Sequence, residues 1–330
     1  MKPNVIAIVG PTASGKTGLG IKIAKGLPRG PEGSLRGEVI SVDSRQIYRE
    51  MDIGTAKPEG EWLESEIEKG GSIHQLFGAR KTFLVEGVPH WGIDLVDPDA
   101  PFSVADFKQY AQEKIEEIVG RGKLPILVGG TGFWLKALLD NLDLTQTPAD
   151  PRLRAELEGR TLGDLYHEYK QRDPDGAEVI DAQNKRRVLR ALEVTLLTGR
   201  PFSQQQTAGE PRYQVLQIGL DVSRELLNER IDTRVDQMVA QGLVNEVRGL
   251  QERYGCEIES MTSIGYRQIC RFLSGEQKLS EAIEEIKKDT RHYAKRQMTW
   301  FKRDERIVWV KPDESVDDLV NTFLKKNPAL

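Results

Sequence analysis

Residues 5–17 read VIAIVGPTASGKT. Five consecutive apolar residues, Val5 to Val9, have the pattern of a strand buried on both faces of a parallel sheet. The next eight fit G-x-x-x-x-G-K-[ST] in full. Gly10 and Gly15 remove the Cβ atoms that would block close approach to a phosphate, and Pro11, Thr12, Ala13 and Ser14 form the loop between them. Its amides turn inward at a helix N-terminus, where the helix dipole favours negative charge. Lys16 is suited to neutralise phosphate oxygens and the Thr17 hydroxyl to ligate Mg²⁺. Leu19, Ile23 and Leu27 then repeat at helical spacing, so strand, turn and helix open an α/β nucleotide-binding unit.

Outward from this point, EVISVDS (38–44), LPILVGG (124–130), VLQIGLDV (215–222) and IVWVKP (307–312) read as further strands. Ser103 caps a helix running to Gly120, with Asp106 completing a capping box and Val104, Phe107, Ala111, Ile115 and Ile118 on one face. Residues 54–91 give mixed signals and predict loops and short elements only. The expected fold is α/β, a P-loop NTPase-like parallel-sheet core over 1–144. A charge-dense, strand-free helical insertion follows over 145–212. Residues 213–330 return to the core and end in a basic helical region.

The chain has 330 residues, with 47 Lys and Arg against 51 Asp and Glu. No apolar run approaches the ~18 residues of a membrane span, and the N-terminus lacks a signal-peptide pattern, so a cytoplasmic protein is expected. Two cysteines, Cys256 and Cys270, and four histidines argue against a structural zinc site or a disulfide framework; both cysteines read as buried small hydrophobes. No obligate protein partner is evident, and a monomer is the default.

A P-loop names a phosphate and not a reaction. It serves an ATPase, a small-molecule kinase, or an enzyme that expels diphosphate. Asp43, at the carboxyl end of a strand where open α/β sheets place ligands, is equally a Mg²⁺-holding carboxylate or a general base. Between Glu284 and Arg306, eight Lys or Arg face five acids, interleaved with His292, Tyr293, Trp300 and Phe301. That suits either a solvated amphipathic helix or an RNA surface.

The strings GPTASGKT (10–17), DSRQIY (43–48), MDIGTAKP (51–58), FSVADF (102–107), LVGGTGFWLKALL (127–139), RRVLRALEV (186–194), TGRPFS (198–203), SIGYRQ (263–268) and YAKRQMTWFKR (293–303) resemble the tRNA dimethylallyltransferase family, bacterial type, in the family's order. The resemblance implies transfer of a dimethylallyl group from dimethylallyl diphosphate to N6 of adenosine-37 in the tRNA anticodon loop, with Mg²⁺. It implies that Asp43 is the general base, that Thr131 lies beside the reacting base and that Arg234, rather than Arg230, grips the diphosphate. It also brings in Ser44, Arg45, Gln46, Arg186, Arg187, Arg190, Gly265, Tyr266, Arg267, Lys295, Arg296, Gln297 and Trp300 as tRNA contacts, with Arg154 a weaker candidate. Residues 28–37 and 59–90 look longer than the family's pattern. Prenylation of free adenine nucleotide and a P-loop kinase are the competing functions.

Overall fold

A computed structural model describes residues 2–27, 37–64, 81–144, 150–205 and 208–328. The Pro/Gly-rich stretch 28–36, most of the extended segment (65–80), the opening of the expected insertion (145–149) and residues 206–207 of its closing loop lie outside the described residues. Eight strands form one sheet: β1 (Asn4–Val9), β2 (Gly37–Val42), β3 (Glu61–Glu64), β4 (Lys81–Val85), β5 (Val88–Trp91), β6 (Leu124–Gly129), β7 (Gln214–Leu220) and β8 (Ile307–Val310). Their order is β3-β4-β5-β2-β6-β1-β7-β8. The six from β5 to β8 run parallel, and β3 and β4 join antiparallel at one edge. This is the expected P-loop α/β core.

Residues 54–91, expected as loops and short elements, thus contribute three strands. Glu86 and Gly87 both adopt positive φ, the two-residue turn that matches the twist of a β-hairpin. Phe83, Val85 and Val88 alternate into the core beside it, a signal that the surrounding charge masks.

Helix α1 (Lys16–Gly26) crosses from β1 to β2. Its Ile21, Ile23 and Ala24 pack with Ile6, Ile8, Val39, Ile126, Val128 and Ile218 of the central strands. Helix α2 (Val104–Gly120) starts with the capping box foreseen at Ser103 and Asp106, and its Phe107 stacks on Trp134 at 4.6 Å. Trp134 belongs to α3 (Gly132–Leu139).

The chain divides into two compact units, Met1–Leu135 with Arg212–Leu330, and Lys136–Pro211, against the limits 145 and 212 read from composition. The second contains α4 (Pro151–Glu158), α5 (Leu162–Arg172), α6 (Pro174–Val179) and α7 (Lys185–Thr198). Asp150, Thr161, Asp173 and Asn184 each accept an N-terminal amide of the helix that follows, so every one of these short helices has a side-chain cap. Leu157, Leu165, Tyr169, Val188 and Leu192 fill its core.

Beyond β7 the first unit adds α8 (Arg224–Ala240), α9 (Leu243–Tyr254), α10 (Tyr266–Leu273), α11 (Leu279–Phe301) and α12 (Asp317–Lys326). One expectation fails here. Cys256 and Cys270 are joined in a disulfide that closes the loop between α9 and α10. Their spacing resembles no framework, and only the folding back of α10 brings the two sulfurs together. Among the described residues, no helix is long and apolar enough to cross a membrane.

Candidate functional site

The parallel register builds the site. Val9 pairs with Gly129, and Gly129 with Val42, so β1, β6 and β2 end level with one another. One residue further on, Gly10, Gly130 and Asp43 open the three loops that the sequence singles out. These three loops border a cavity of about 250 Å³, whose wall includes Thr12, Lys16, Thr17, Asp43, Gly130 and Arg234. That volume admits a small ligand and not a macromolecule.

Gly10 (φ 146°), Ala13 (φ 62°) and Gly15 (φ 97°) take positive φ, which curls the loop back on itself before α1. Lys16 Nζ donates to the Pro11 carbonyl at 2.6 Å. Burial lowers the Lys16 pKa to about 8, Asp43 opposing the fall and Arg234 adding to it. Arg234 is itself held below its ordinary value by burial. Of the two arginines considered on α8, Arg234 is the one in the cavity wall. Two cations and the Thr17 hydroxyl around one pocket have the chemistry that suits a multiply charged anion.

Asp43 caps the turn after β2: its Oδ1 accepts from Arg45 N (2.8 Å) and Gln46 N (3.4 Å). This fixes the carboxyl group, and no described residue donates to Oδ2. Thr131 Oγ1 accepts from Ser44 N at 3.1 Å, so its hydroxyl ties the β6 loop to the Asp43 loop. Arg45 donates to the Glu259 carbonyl at 3.2 Å. Gln46 spans Ser41 Oγ (2.8 Å) and the Thr55 and Ala56 carbonyls (3.4 and 3.3 Å), which holds the 51–58 segment against the cavity.

The other expected RNA contacts separate. Lys295 and Arg296 are exposed on α11, and Arg186 and Arg187 on α7. Trp300 is half-buried over Gly132, whose Cβ would lie 2.3 Å from the indole. Gly265 (φ 97°) precedes α10, and Arg267 pairs with Asp289. Two of the expected contacts are buried. Tyr266 has no exposed surface, and its hydroxyl donates to Glu246 at 2.6 Å, so it braces the fold. Gln297 is also buried, bonded to Thr12 N and Gly130 O.

Arg154 and Arg190 both engage Glu193, which is fully buried. Burial pushes the Glu193 pKa up, but the two guanidiniums outweigh it and hold the carboxyl below its ordinary range. These arginines carry structural load in the helical unit before any RNA arrives.

Sequence reasoning passed over Glu246, whose carboxylate accepts from Asp52 N (3.0 Å), Ile53 N (2.7 Å) and Gly54 N (3.0 Å) and so anchors the segment lining the cavity. Nothing local marks it, because the amides it binds lie 192 to 194 residues away. Tyr293, noted only as one aromatic in a basic run, has its pKa raised to about 12, first by burial and then by the charge of Asp43. His90, in the cavity wall, is held below its ordinary pKa by burial, while Nδ1 contacts Val88 O at 2.8 Å.

Fold and site together define a P-loop α/β protein whose cavity sets two cations beside a fixed carboxylate. The family model described as IPP transferase matches residues 46–304, and the chain belongs to that family. A tRNA dimethylallyltransferase of Acetivibrio thermocellus is 44% identical over 323 residues, 96% of this chain and 94% of the relative. The crystal structure of the full-length tRNA isopentenylpyrophosphate transferase of Bacillus halodurans superposes with a TM-score of 0.66 at 37% identity, covering 99% and 98% of the two chains. Crystallographic snapshots of a eukaryotic dimethylallyltransferase acting on tRNA give a TM-score of 0.77 at 28% identity, over 99% of this chain and 80% of that one.

Proposed function

We propose that the protein transfers the dimethylallyl group of dimethylallyl diphosphate to N6 of adenosine-37 in the tRNA anticodon loop, releasing diphosphate, in the cytoplasm. The observation that carries this is the placement of Lys16, Thr17, Arg234 and Asp43 around one cavity in a chain homologous end to end to tRNA dimethylallyltransferases. The C1–O bond of the donor breaks and its electron pair leaves on the diphosphate. The N6 lone pair forms the new N–C bond, and the N6 proton passes to Asp43.

Lys16 and Arg234 neutralise the leaving group, and preorganised charge of this kind acts without reorganisation during the reaction. Asp43 is held by Arg45 N and Gln46 N at Oδ1, which leaves Oδ2 as the proton acceptor. Thr131, linked to Ser44, sets the distance between the two loops that receive the base. An adenine amine deep in a stacked loop is out of reach, so the target base must be extruded from the stack.

Among the described residues no group of three or more His, Cys, Asp and Glu could hold a metal. The donor set here suits Mg²⁺, which takes few protein oxygens and completes its shell with substrate phosphates and water. Thr17 Oγ1 would hold it. When bound it neutralises the departing diphosphate.

The test is incubation of labelled dimethylallyl diphosphate and Mg²⁺ with unmodified tRNA, and with AMP in parallel, followed by digestion to nucleosides. Label on tRNA adenosine and not on AMP is expected. Label on AMP alone would make this a free-nucleotide prenyltransferase, and ATP turnover without label a kinase.

A further inference from the structure

Gln297 sits on the inner face of α11, and its amide bonds two different loops. Oε1 accepts from Thr12 N of the phosphate loop at 2.8 Å, and Nε2 donates to Gly130 O after β6 at 2.9 Å. A side-chain amide is suited to this because one planar group offers both a donor and an acceptor. The fit is close: a Cβ on Gly130 would lie 2.2 Å from Nε2. One turn along the helix, the Trp300 indole covers Gly132. Lys295 and Arg296, in the same stretch, face solvent.

Thr12 N is therefore engaged by the helix and not free for a phosphate. The start of the phosphate loop is shaped by α11, and so is the loop that carries Thr131. A helix whose outer side bears cations and whose inner side fixes both loops is a mechanical link between an RNA surface and the donor cavity. Resting on the functional reading above, we propose that Gln297 is a positioning residue that couples tRNA binding on α11 to diphosphate binding at the phosphate loop. RNA held at Lys295 and Arg296 restrains α11, and Gln297 passes that restraint to Thr12 and Gly130. Coupling between two sites is reciprocal, so each ligand tightens the other by the same factor.

The experiment is calorimetric titration of the full chain with dimethylallyl thiodiphosphate, an unreactive donor analogue, with Mg²⁺, with and without saturating anticodon stem-loop RNA. The wild type should bind the analogue at least about 5-fold tighter with RNA present, the lower end of typical couplings. Gln297→Glu keeps the acceptor for Thr12 N but sets a second acceptor against Gly130 O. Its coupling should fall below about 2-fold while RNA affinity alone stays within about 3-fold. Gly130→Ala leaves Gln297 in place and displaces its amide, so it should lose the coupling too, which guards against a folding defect in one variant. Both variants retaining wild-type coupling would overturn the proposal. So would a wild type that binds both probes without coupling. A wild type that binds neither probe refutes the functional reading and this inference with it.

Discussion

Lys16→Met should stabilise the protein at neutral pH while abolishing donor binding. Burial lowers the Lys16 pKa from 10.5 to about 8. The sign follows from proton counting: between pH 8 and 10.5 the unfolded lysine is protonated and the native one is not, so stability rises with pH across that window. Below pH 8 the native protein carries the whole cost of a buried charge. The gap of about 2.5 pH units corresponds to roughly 3 kcal/mol. Because the side chain is partly exposed to the cavity, screening reduces this to about 1.5 kcal/mol. Urea unfolding of both proteins in phosphate-free buffer from pH 6 to 10 measures it. Lys16→Met should be more stable by about 1.5 kcal/mol at pH 6–7, with the difference closing as pH rises past 8. A difference that does not vary with pH, or a variant less stable than wild type at pH 7, would refute the reasoning. Exchanging stability for a charged site is a common cost of function.

Four further outcomes are expected. Asp43→Asn keeps an Oδ1 acceptor for Arg45 N and Gln46 N, so tRNA affinity should hold while single-turnover transfer falls ~10²-fold or more; transfer within a few-fold of wild type would make Asp43 structural only. Reversing Lys295 and Arg296 to Glu should lower the slope of log affinity for tRNA against log salt by about 0.7 per lost phosphate contact, and an unchanged slope would remove α11 from the interface. Arg154→Ala should cost about 2 kcal/mol in urea unfolding, since Arg190 remains on Glu193, and a Met pair replacing Arg154 and Glu193 should recover at least half; a cost under ~0.5 kcal/mol would free Arg154 for RNA. Reducing Cys256–Cys270, which closes a separation of 14 residues, should destabilise the chain by about 3 kcal/mol, and equal unfolding midpoints with and without reductant would contradict that.

How much of this was legible in the sequence depended on whether a signal was local. The phosphate loop was, because its glycines, lysine and threonine act within eight consecutive residues and the flanking strand and helix are written in the same stretch. The capping box at Ser103 and Asp106 was legible for the same reason. The β4–β5 hairpin was half-legible: the alternation and the Glu86–Gly87 turn are present, but polar neighbours blur the period. Tyr266 and Gln297 look like surface residues in their own segments, and only their partners show otherwise.

The sequence by itself determined the P-loop α/β core, the carboxylate after β2 and the family. Each rests on residue order and spacing, which the chain carries whether folded or not. The tertiary structure decided which groups meet. The level ends of β1, β2 and β6 bring three loops to one cavity, Glu246 gathers amides from Asp52, Ile53 and Gly54, and Gln297 joins α11 to Thr12 and Gly130. The folding back of α10 pairs two cysteines that composition had left apart. Those contacts span up to 285 residues, and a hydrogen bond or ion pair between distant segments leaves no period or motif in either one.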